Sequence, residues 1–164
     1  MEYKFMQADE TMIDSIYELF IKRIEWMDRV GIKQWNVTNY IDAYPKEYYK
    51  MQIKEKQLYV IIGNDEIVGA IVLLENDERW DDSDKCSAYY LHNFVTDTKI
   101  KGIGKKILKF VEELARKNKK SKLRLDCSED NDFLNNYYEN AGYILVGRCT
   151  EGLYKGNKRE KNLN

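Results

Sequence analysis

The chain has 164 residues, of which 43% are hydrophobic and 13% aromatic, and its 27 basic and 28 acidic residues give a net charge of -1. This length suits one domain, and the composition supports a packed core rather than a disordered chain. The balanced charge shows no electrostatic signature of a nucleic-acid or membrane partner, and no apolar run resembles a signal peptide or a membrane span, so we expect neither kind of partner.

The first half of the chain predicts a strand at 3–7, helices at 12–30 and 45–56, and a β-hairpin with strands at 58–62 and 66–74. The first helix has apolar side chains at three- and four-residue spacings and ends at Gly31, a typical helix-terminating residue. An irregular aromatic stretch follows, and Pro45 fits the first turn of the second helix. The turn Gly63-Asn64-Asp65 has hairpin chemistry, so the two β-branched runs around it are expected to pair antiparallel.

The second half predicts alternating strands and helices after a charged loop, with strands at 88–95, 123–127 and 143–149 and helices at 104–118 and 133–140. A further short strand is indicated at 152–154. Alternation of this kind requires at least one parallel pair, whereas the hairpin is antiparallel. We therefore expect an α/β (α+β) fold with one central mixed sheet, a single domain over 1–155, and a frayed polar tail over 156–164.

The cysteine and histidine content argues against several enzyme classes. Cys86, Cys127 and Cys149 are odd in number and lack metal-ligand spacing, so we expect reduced thiols in a cytoplasmic protein that holds no metal. A zinc centre would have to combine His92, the single histidine, with scattered cysteines or carboxylates. A serine hydrolase would need a nucleophile-elbow glycine pattern, which the sequence lacks. Neither class fits.

The segment from Val95 to Lys106, which reads VTDTKIKGIGKK, joins a predicted strand to a predicted helix. Glycine lets the backbone turn sharply and leaves room for a phosphate to approach the amides, and a helix start offers a partial positive charge. Four lysines in the segment add mobile positive charge, so the segment predicts an anion cradle. A bare Gly-x-Gly can also simply shape a turn, and the segment is neither a Rossmann fingerprint nor a P-loop.

A second segment strengthens this interpretation. The strand sequence Leu-Arg-Leu-Asp-Cys at 123–127 is followed by Asn131 and then by Tyr138-Glu-Asn-Ala-Gly-Tyr143. Together with Lys99-x-x-Gly-x-Gly104, this pattern resembles the GNAT family of acetyl-CoA-dependent N-acetyltransferases over about 89–147, and Tyr-Leu-His at 90–92 and Gly-Ile-Lys-Gln-Trp at 31–35 are similar to a bacterial branch. Two residues depart from the family pattern: lysine at 99 replaces the usual arginine or glutamine, and Tyr143 replaces phenylalanine. At position 99, lysine offers a point charge instead of the bidentate fork of arginine.

The resemblance implies a GNAT-like single domain, with a mixed, mostly antiparallel twisted sheet of six to seven strands flanked by about four helices. It also implies acetyl-CoA as cosubstrate, with the pantetheine arm in a gap between the fourth and fifth strands. The strand end at Phe94 and Val95 would bind the arm and the thioester, and Asn131 would contact pantetheine, cap a helix, or do both. The pyrophosphate would be held by the loop residues Lys99, Ile100, Lys101, Gly102, Ile103, Gly104 and Lys105.

The resemblance also implies catalytic roles. Tyr138 matches the tyrosine that family members use as general acid, since the leaving thiolate has a conjugate-acid pKa of about 8.5 and gains from a proton. Tyr138 would also lie against the cofactor; Tyr137 is an adjacent alternative, and packing in the core is another. The attacking alkylammonium, with a pKa of about 10.4, must lose a proton, and His92 on the fourth strand is a candidate base. Asp126, Glu139 and a water chain remain open for that task.

The resemblance places the acceptor site in the aromatic N-terminal region, where Trp35 and Tyr40 are candidate substrate contacts through cation–π attraction. For most aromatic residues of this region, burial in the core is the alternative. The expected partner is a small-molecule or peptide amine, and a homodimer is possible. We expect direct acetyl transfer in a ternary complex; the alternatives are a catalytically silent CoA-binding or partner-binding module and a phosphate-binding protein of another fold.

Overall fold

A computed structural model describes residues 2–164. The strands are β1 (Tyr3–Gln7), β2 (Leu58–Gly63), β3 (Glu66–Leu74), β4 (Ala88–Thr96), β5 (Lys122–Ser128), β6 (Ile144–Glu151) and β7 (Tyr154–Asn162). The helices are α1 (Ile13–Val30), α2 (Tyr40–Ala43), α3 (Lys46–Lys54), α4 (Ile103–Lys117) and α5 (Asp132–Asn140), and a 3-10 turn covers Glu10–Met12. The strands form one sheet in the order β1-β2-β3-β4-β5-β7-β6. This mixed sheet confirms the predicted fold class, and the short α2 raises the number of helices to five.

The chain forms two compact units, which are described separately. The first comprises 2–73 with 93–110, and the second comprises 74–92 with 111–164. Among residues 2–164, no helix combines the length and the apolar character needed to cross a bilayer.

The first unit contains the predicted hairpin. Gly63 pairs with Glu66 at the end of the β2–β3 ladder, and Asn64 and Asp65 between them have φ of 52° and 63°. Two successive positive φ angles define a type I′ turn, whose twist matches that of the paired strands. β1 adds to β2 antiparallel, with Tyr3 opposite Gly63. The hairpin prediction is therefore confirmed by the register and by the turn.

The predicted amphipathic helix is also present in the first unit. α1 buries one stripe of side chains, namely Ile13, Ile16, Leu19, Phe20 and Met27. It ends at Gly31, which has φ of 78° and donates its backbone N–H to Met27 O. On β3, a Cβ added to Gly69 would lie 2.6 Å from Ile107 Cδ1 of α4, so only glycine allows this close packing.

The second unit contains the C-terminal strands. β7 pairs antiparallel with both β5 and β6, and β4 pairs in parallel with β5 over Ala88–Tyr90 against Lys122–Arg124. Leu91 and His92 continue β4 beyond the ladder that is formed in this unit. The parallel pair required by the alternation of strands and helices is thus β4–β5.

The prediction of a frayed tail over 156–164 is wrong. These residues form most of β7, and several of them are buried, including Asn157, Arg159 and Glu160. Their polarity predicted a solvated tail, but the buried charges have partners. Glu160 accepts a hydrogen bond from Arg124 Nε at 2.8 Å. The indicated strand at 152–154 is mainly the two-residue turn between β6 and β7, since Glu151 pairs with Tyr154.

The loop between β3 and β4 is irregular, as predicted, and it is anchored within the second unit. Trp80 is 6% exposed and packs on Ala88 and Tyr90. The Arg124 guanidinium lies 4.4 Å from the centroid of the Trp80 ring and donates hydrogen bonds to Asp82 Oδ1 at 2.8 Å and to Tyr90 Oη at 2.9 Å. A charged side chain from β5 thereby anchors a loop whose own backbone bonds are those of turns, such as Trp80 N–H to Asp77 O at 3.0 Å.

Candidate functional site

β4 is bent at Asn93, whose φ is 50°. Left-handed backbone is costly for most L-residues but is tolerated by asparagine. The side chain is 9% exposed and is held at both ends: Tyr48 Oη donates to Oδ1 at 2.7 Å, and Nδ2 donates to Tyr40 Oη. The two tyrosines therefore fix the bend that directly precedes the strand end at Phe94 and Val95.

The loop after β4 is anchored at its start within the first unit. Asp97 N–H donates to Val68 O at 2.8 Å, and the Asp97 carboxylate accepts from Lys99 N–H at 2.9 Å. Arg23 Nη2 donates to Thr96 O at 2.9 Å. The amide of Ile100 donates to Asp97 O at 3.3 Å, so this predicted phosphate donor already has an acceptor in the chain.

The backbone amides of the next five residues, 101–105, differ from that of Ile100 in their hydrogen bonding. The first bond of α4 is from Lys106 N–H to Gly102 O, and within residues 2–164 no acceptor pairs with the amides of 101–105. Gly102 has φ of 85°, and a Cβ added there would meet no atom within 4 Å. A row of unpaired donors on an open backbone at a helix N-terminus can bind an anion. In the predicted cradle, the open donors are therefore the amides of 101–105.

The charge around this loop is positive. α4 has no acidic residue in its first turn. Four exposed lysines lie in the loop and the first turn of α4, namely Lys99, Lys101, Lys105 and Lys106. Over residues 2–164, none of them forms an ion pair. The Lys106 ammonium lies 5.2 Å from the centroid of the Tyr3 ring. Anion binding here would therefore meet cations that are not already neutralised.

Tyr138 lies in α5 of the second unit and is 8% exposed. Its ring packs against Tyr137 and Tyr143, with centroids 5.3 and 5.9 Å away. Burial raises the pKa of Tyr138 well above its ordinary value of about 10, so the phenol stays protonated at neutral pH. In the described chain its hydroxyl is not hydrogen-bonded to another side chain. Tyr138 is therefore held in the protonated form that a proton donor needs.

Asn131 is the N-cap of α5. Its Oδ1 accepts from Leu134 N–H at 3.0 Å, which confirms the capping role.

His92 has a partner that sequence reasoning did not identify. Its Nε2 lies 2.7 Å from Asp77 Oδ2, and the backbone N–H of Arg79 donates to Asp77 Oδ1 at 2.9 Å. Burial opposes ionisation of Asp77, but the bond and charge of His92, together with Arg79, outweigh it and lower the pKa of Asp77 below its ordinary value. Asp77 lies in the irregular loop after β3, so no sequence period could have linked it to His92.

Asp126 on β5 lies beside this pair. Ligand-type atoms of Asp77, His92 and Asp126 lie within 4.8 Å of one another. Asp126 accepts from Tyr154 Oη at 2.6 Å and from Arg79 Nη1 at 3.2 Å. The Arg79 guanidinium already neutralises part of the negative charge of this cluster.

A cavity of about 630 Å³ opens in the second unit, between the loop after β3, the end of β6 and Lys158 in the middle of β7. Its wall includes Asp77, Arg79, Arg148, Cys149 and Glu151. Both signs of charge therefore line a space of the size that small-molecule sites have.

Tyr40, a predicted substrate contact, lies in the core of the first unit. It is 7% exposed and stacks on Trp35 with centroids 4.6 Å apart, and its other contacts include Phe20 at 5.6 Å. Its hydroxyl holds Asn93. Tyr40 therefore has the core role that was the alternative for these aromatic residues, while Trp35 is partly exposed.

Comparisons with known proteins identify the family of this chain. Residues 21–143 match the model of the acetyltransferase (GNAT) family. The uncharacterized N-acetyltransferase YesJ of Bacillus subtilis (strain 168) is 24% identical over 148 residues, which cover 86% of this chain and 81% of YesJ.

Solved structures share the fold. An acetyltransferase of the GNAT family from Listeria monocytogenes 4b F2365 has a TM-score of 0.78 and 23% identity, covering 98% of this chain and 95% of its own. The PaiA N-acetyltransferase of Thermoplasma acidophilum, in complex with coenzyme A, has a TM-score of 0.75 and 18% identity, covering 99% of each chain.

Proposed function

We propose, since the chain belongs to the acetyltransferase (GNAT) family, that it transfers the acetyl group of acetyl-CoA to a primary amine by direct attack in a ternary complex. The observation that carries this proposal is the row of unpaired amides at 101–105, at the N-terminus of α4 and beside unpaired lysines. A diphosphate needs such donors, and the family uses acetyl-CoA. The coenzyme A bound to PaiA, which shares the fold, supports the same cofactor here.

The remaining cofactor contacts follow from the family pattern. The backbone at Phe94 and Val95 would bind the pantetheine arm and the thioester carbonyl, and the bend at Asn93 would set the direction of that backbone. Asn131 would contact pantetheine through its side-chain amide while its Oδ1 caps α5. Lys99 would contribute charge rather than a bidentate bond.

In the proposed reaction, the acceptor ammonium first loses a proton to a base, for which His92 is the candidate. The neutral amine attacks the thioester carbonyl, the new C–N bond forms, and the C–S bond breaks. The thiolate then takes a proton from Tyr138, whose protonated and buried phenol suits this donation. The amine nitrogen and the imidazolium of His92 each release one proton to solvent, and one proton from solvent returns to Tyr138.

Calorimetry tests the cofactor, and thiol release tests the reaction. We expect acetyl-CoA at about 100 times its Kd to add about 2.7 kcal/mol of stability, which for a chain of this length corresponds to roughly 5–10 °C in Tm. Absence of binding heat from both CoA and acetyl-CoA would refute the proposal. Binding without thiol release across a broad amine panel would favour the silent CoA-binding module instead.

Tyr138→Phe tests the acid, with Tyr137→Phe as the matched control. We expect a fall in kcat of about 100-fold or more for Tyr138→Phe, because general acid catalysis contributes on that scale, with the Kd for CoA unchanged. Tyr137→Phe should retain most activity. Wild-type kcat in Tyr138→Phe would remove Tyr138 from the mechanism.

A further inference from the structure

We propose that the cavity beside Asp77 receives the acetyl acceptor and that this acceptor is a small amine that also carries a carboxylate, such as an amino acid or the end of a peptide. The inference rests on the proposed acetyl transfer and adds the class of substrate. It is carried by the charges that line the cavity and by which of them are already paired.

The cations of the cavity wall are not equivalent. Arg79 donates to Asp126 and to Glu151, and Lys158 Nζ donates to Arg79 O at 3.0 Å. Arg148 donates one hydrogen bond, from Nε to Asn157 Oδ1 at 3.2 Å, and it has no ion pair within residues 2–164. That bond leaves both Nη groups as a fork, the geometry that binds a carboxylate with two parallel hydrogen bonds.

The anions of the wall favour an ammonium. Asp77 lines the cavity with its side chain 8% exposed, and each of its oxygens accepts one bond in the chain. A carboxylate oxygen has a second acceptor site, so Asp77 can also accept from an acceptor ammonium. Glu78 and Asp81 add exposed negative charge that is not paired within the described residues. The cavity therefore offers a carboxylate-binding cation and ammonium-binding anions together.

Asp77 also orients the candidate base. With Nε2–H donated to Asp77 Oδ2, His92 keeps the tautomer whose Nδ1 is the proton acceptor. The proton that leaves the ammonium is then held as an imidazolium beside an ionised Asp77. Asp77 therefore has two proposed roles: it contacts the acceptor ammonium, and it positions His92.

The test uses matched amines with acetyl-CoA: α-amino acids, their amides, and alkylamines that lack the carboxylate. The wild-type chain should prefer the amino acids in kcat/KM. Arg148→Gln should raise KM for them by roughly 10- to 100-fold, the equivalent of a charged hydrogen-bonded pair, and should leave KM for the amides within about twofold. Lys117→Gln removes the same charge from an exposed position at the end of α4 and should change neither value.

Equal effects of Arg148→Gln on acids and amides, or a wild-type preference for amines without a carboxylate, would overturn the inference while leaving acetyl transfer in place. Transfer to no amine at all would refute the proposed function instead.

The positioning role of Asp77 has its own readout. Asp77→Asn should lower kcat more than it raises KM, and Asp77→Glu should restore part of kcat. If His92 is the base, imidazole added to His92→Ala should restore turnover. Failure of this rescue, together with an unchanged kcat in Asp77→Asn, would overturn the role of the pair.

Discussion

The bend of β4 predicts the sign of a stability difference between two variants at one position. Asn93 has φ of 50° and uses its side chain to bond Tyr48 and Tyr40. Asn93→Ala and Asn93→Gly remove both bonds equally. The two variants therefore differ mainly in how well their backbones tolerate the left-handed conformation.

The magnitude follows from two opposing effects. In an ordinary strand, glycine is less stable than alanine by about 0.5–1 kcal/mol, because its unfolded chain has more freedom to lose. In the left-handed region the Cβ of alanine costs about 1–2 kcal/mol, which glycine avoids. We expect Asn93→Gly to be more stable than Asn93→Ala by roughly 0.5–1 kcal/mol. Both should be less stable than the wild type by about 1–3 kcal/mol, because buried hydroxyls lose their partner.

Equilibrium unfolding in urea measures the difference. Lys4, exposed in β1 of the same unit, is the control, and there Lys4→Ala should be the more stable of the alanine and glycine pair. If Asn93→Ala is the more stable variant at position 93 as well, the left-handed bend is refuted.

Three other outcomes are expected. Gly102→Val adds strain at φ of 85° and blocks the open backbone, so calorimetry should show CoA binding weakened by at least about tenfold. The control Gly31→Val adds similar strain at φ of 78°, so it should unfold more easily but bind CoA normally. Arg124→Met leaves the Glu160 charge buried without its main partner and should lower the free energy of unfolding by about 3–5 kcal/mol in urea titrations. Asp77 has a lowered pKa in the folded chain, so its contribution to stability is present above its ordinary pKa and is lost as pH falls through the folded pKa. Urea titrations should therefore show Asp77→Asn less stable than the wild type at pH 7, and the two stabilities should converge in acid.

Much of the fold could be predicted because its signals are local. The apolar stripe of α1 and the positive φ at Asn64 and Asp65 follow from spacing and turn chemistry within a few residues. The open backbone at Gly102 has the same origin, since glycine at a strand-to-helix turn is a local choice. The family pattern added Asn131 and Tyr138, of which the structure shows the cap and the burial.

β7 could not be predicted in the same way. Its residues are polar, and polarity indicates a solvated tail unless the partners of the charges are known. Once β5 and β6 lie on both sides, their backbones complete the ladders, and Arg124 neutralises Glu160 from 36 residues away. Burial of these charges depends on that pairing.

By itself, the sequence determined the amphipathic α1, the hairpin, the glycine-containing turn before α4 and the acetyltransferase pattern, because each is written in neighbouring residues. Only the tertiary structure decided that Tyr48 holds the bend at Asn93 from 45 residues away and that Asp77 faces His92 across 15 residues. Such contacts depend on how strands and loops are brought together in space, and hydrophobic period and turn propensity carry no information about that distance.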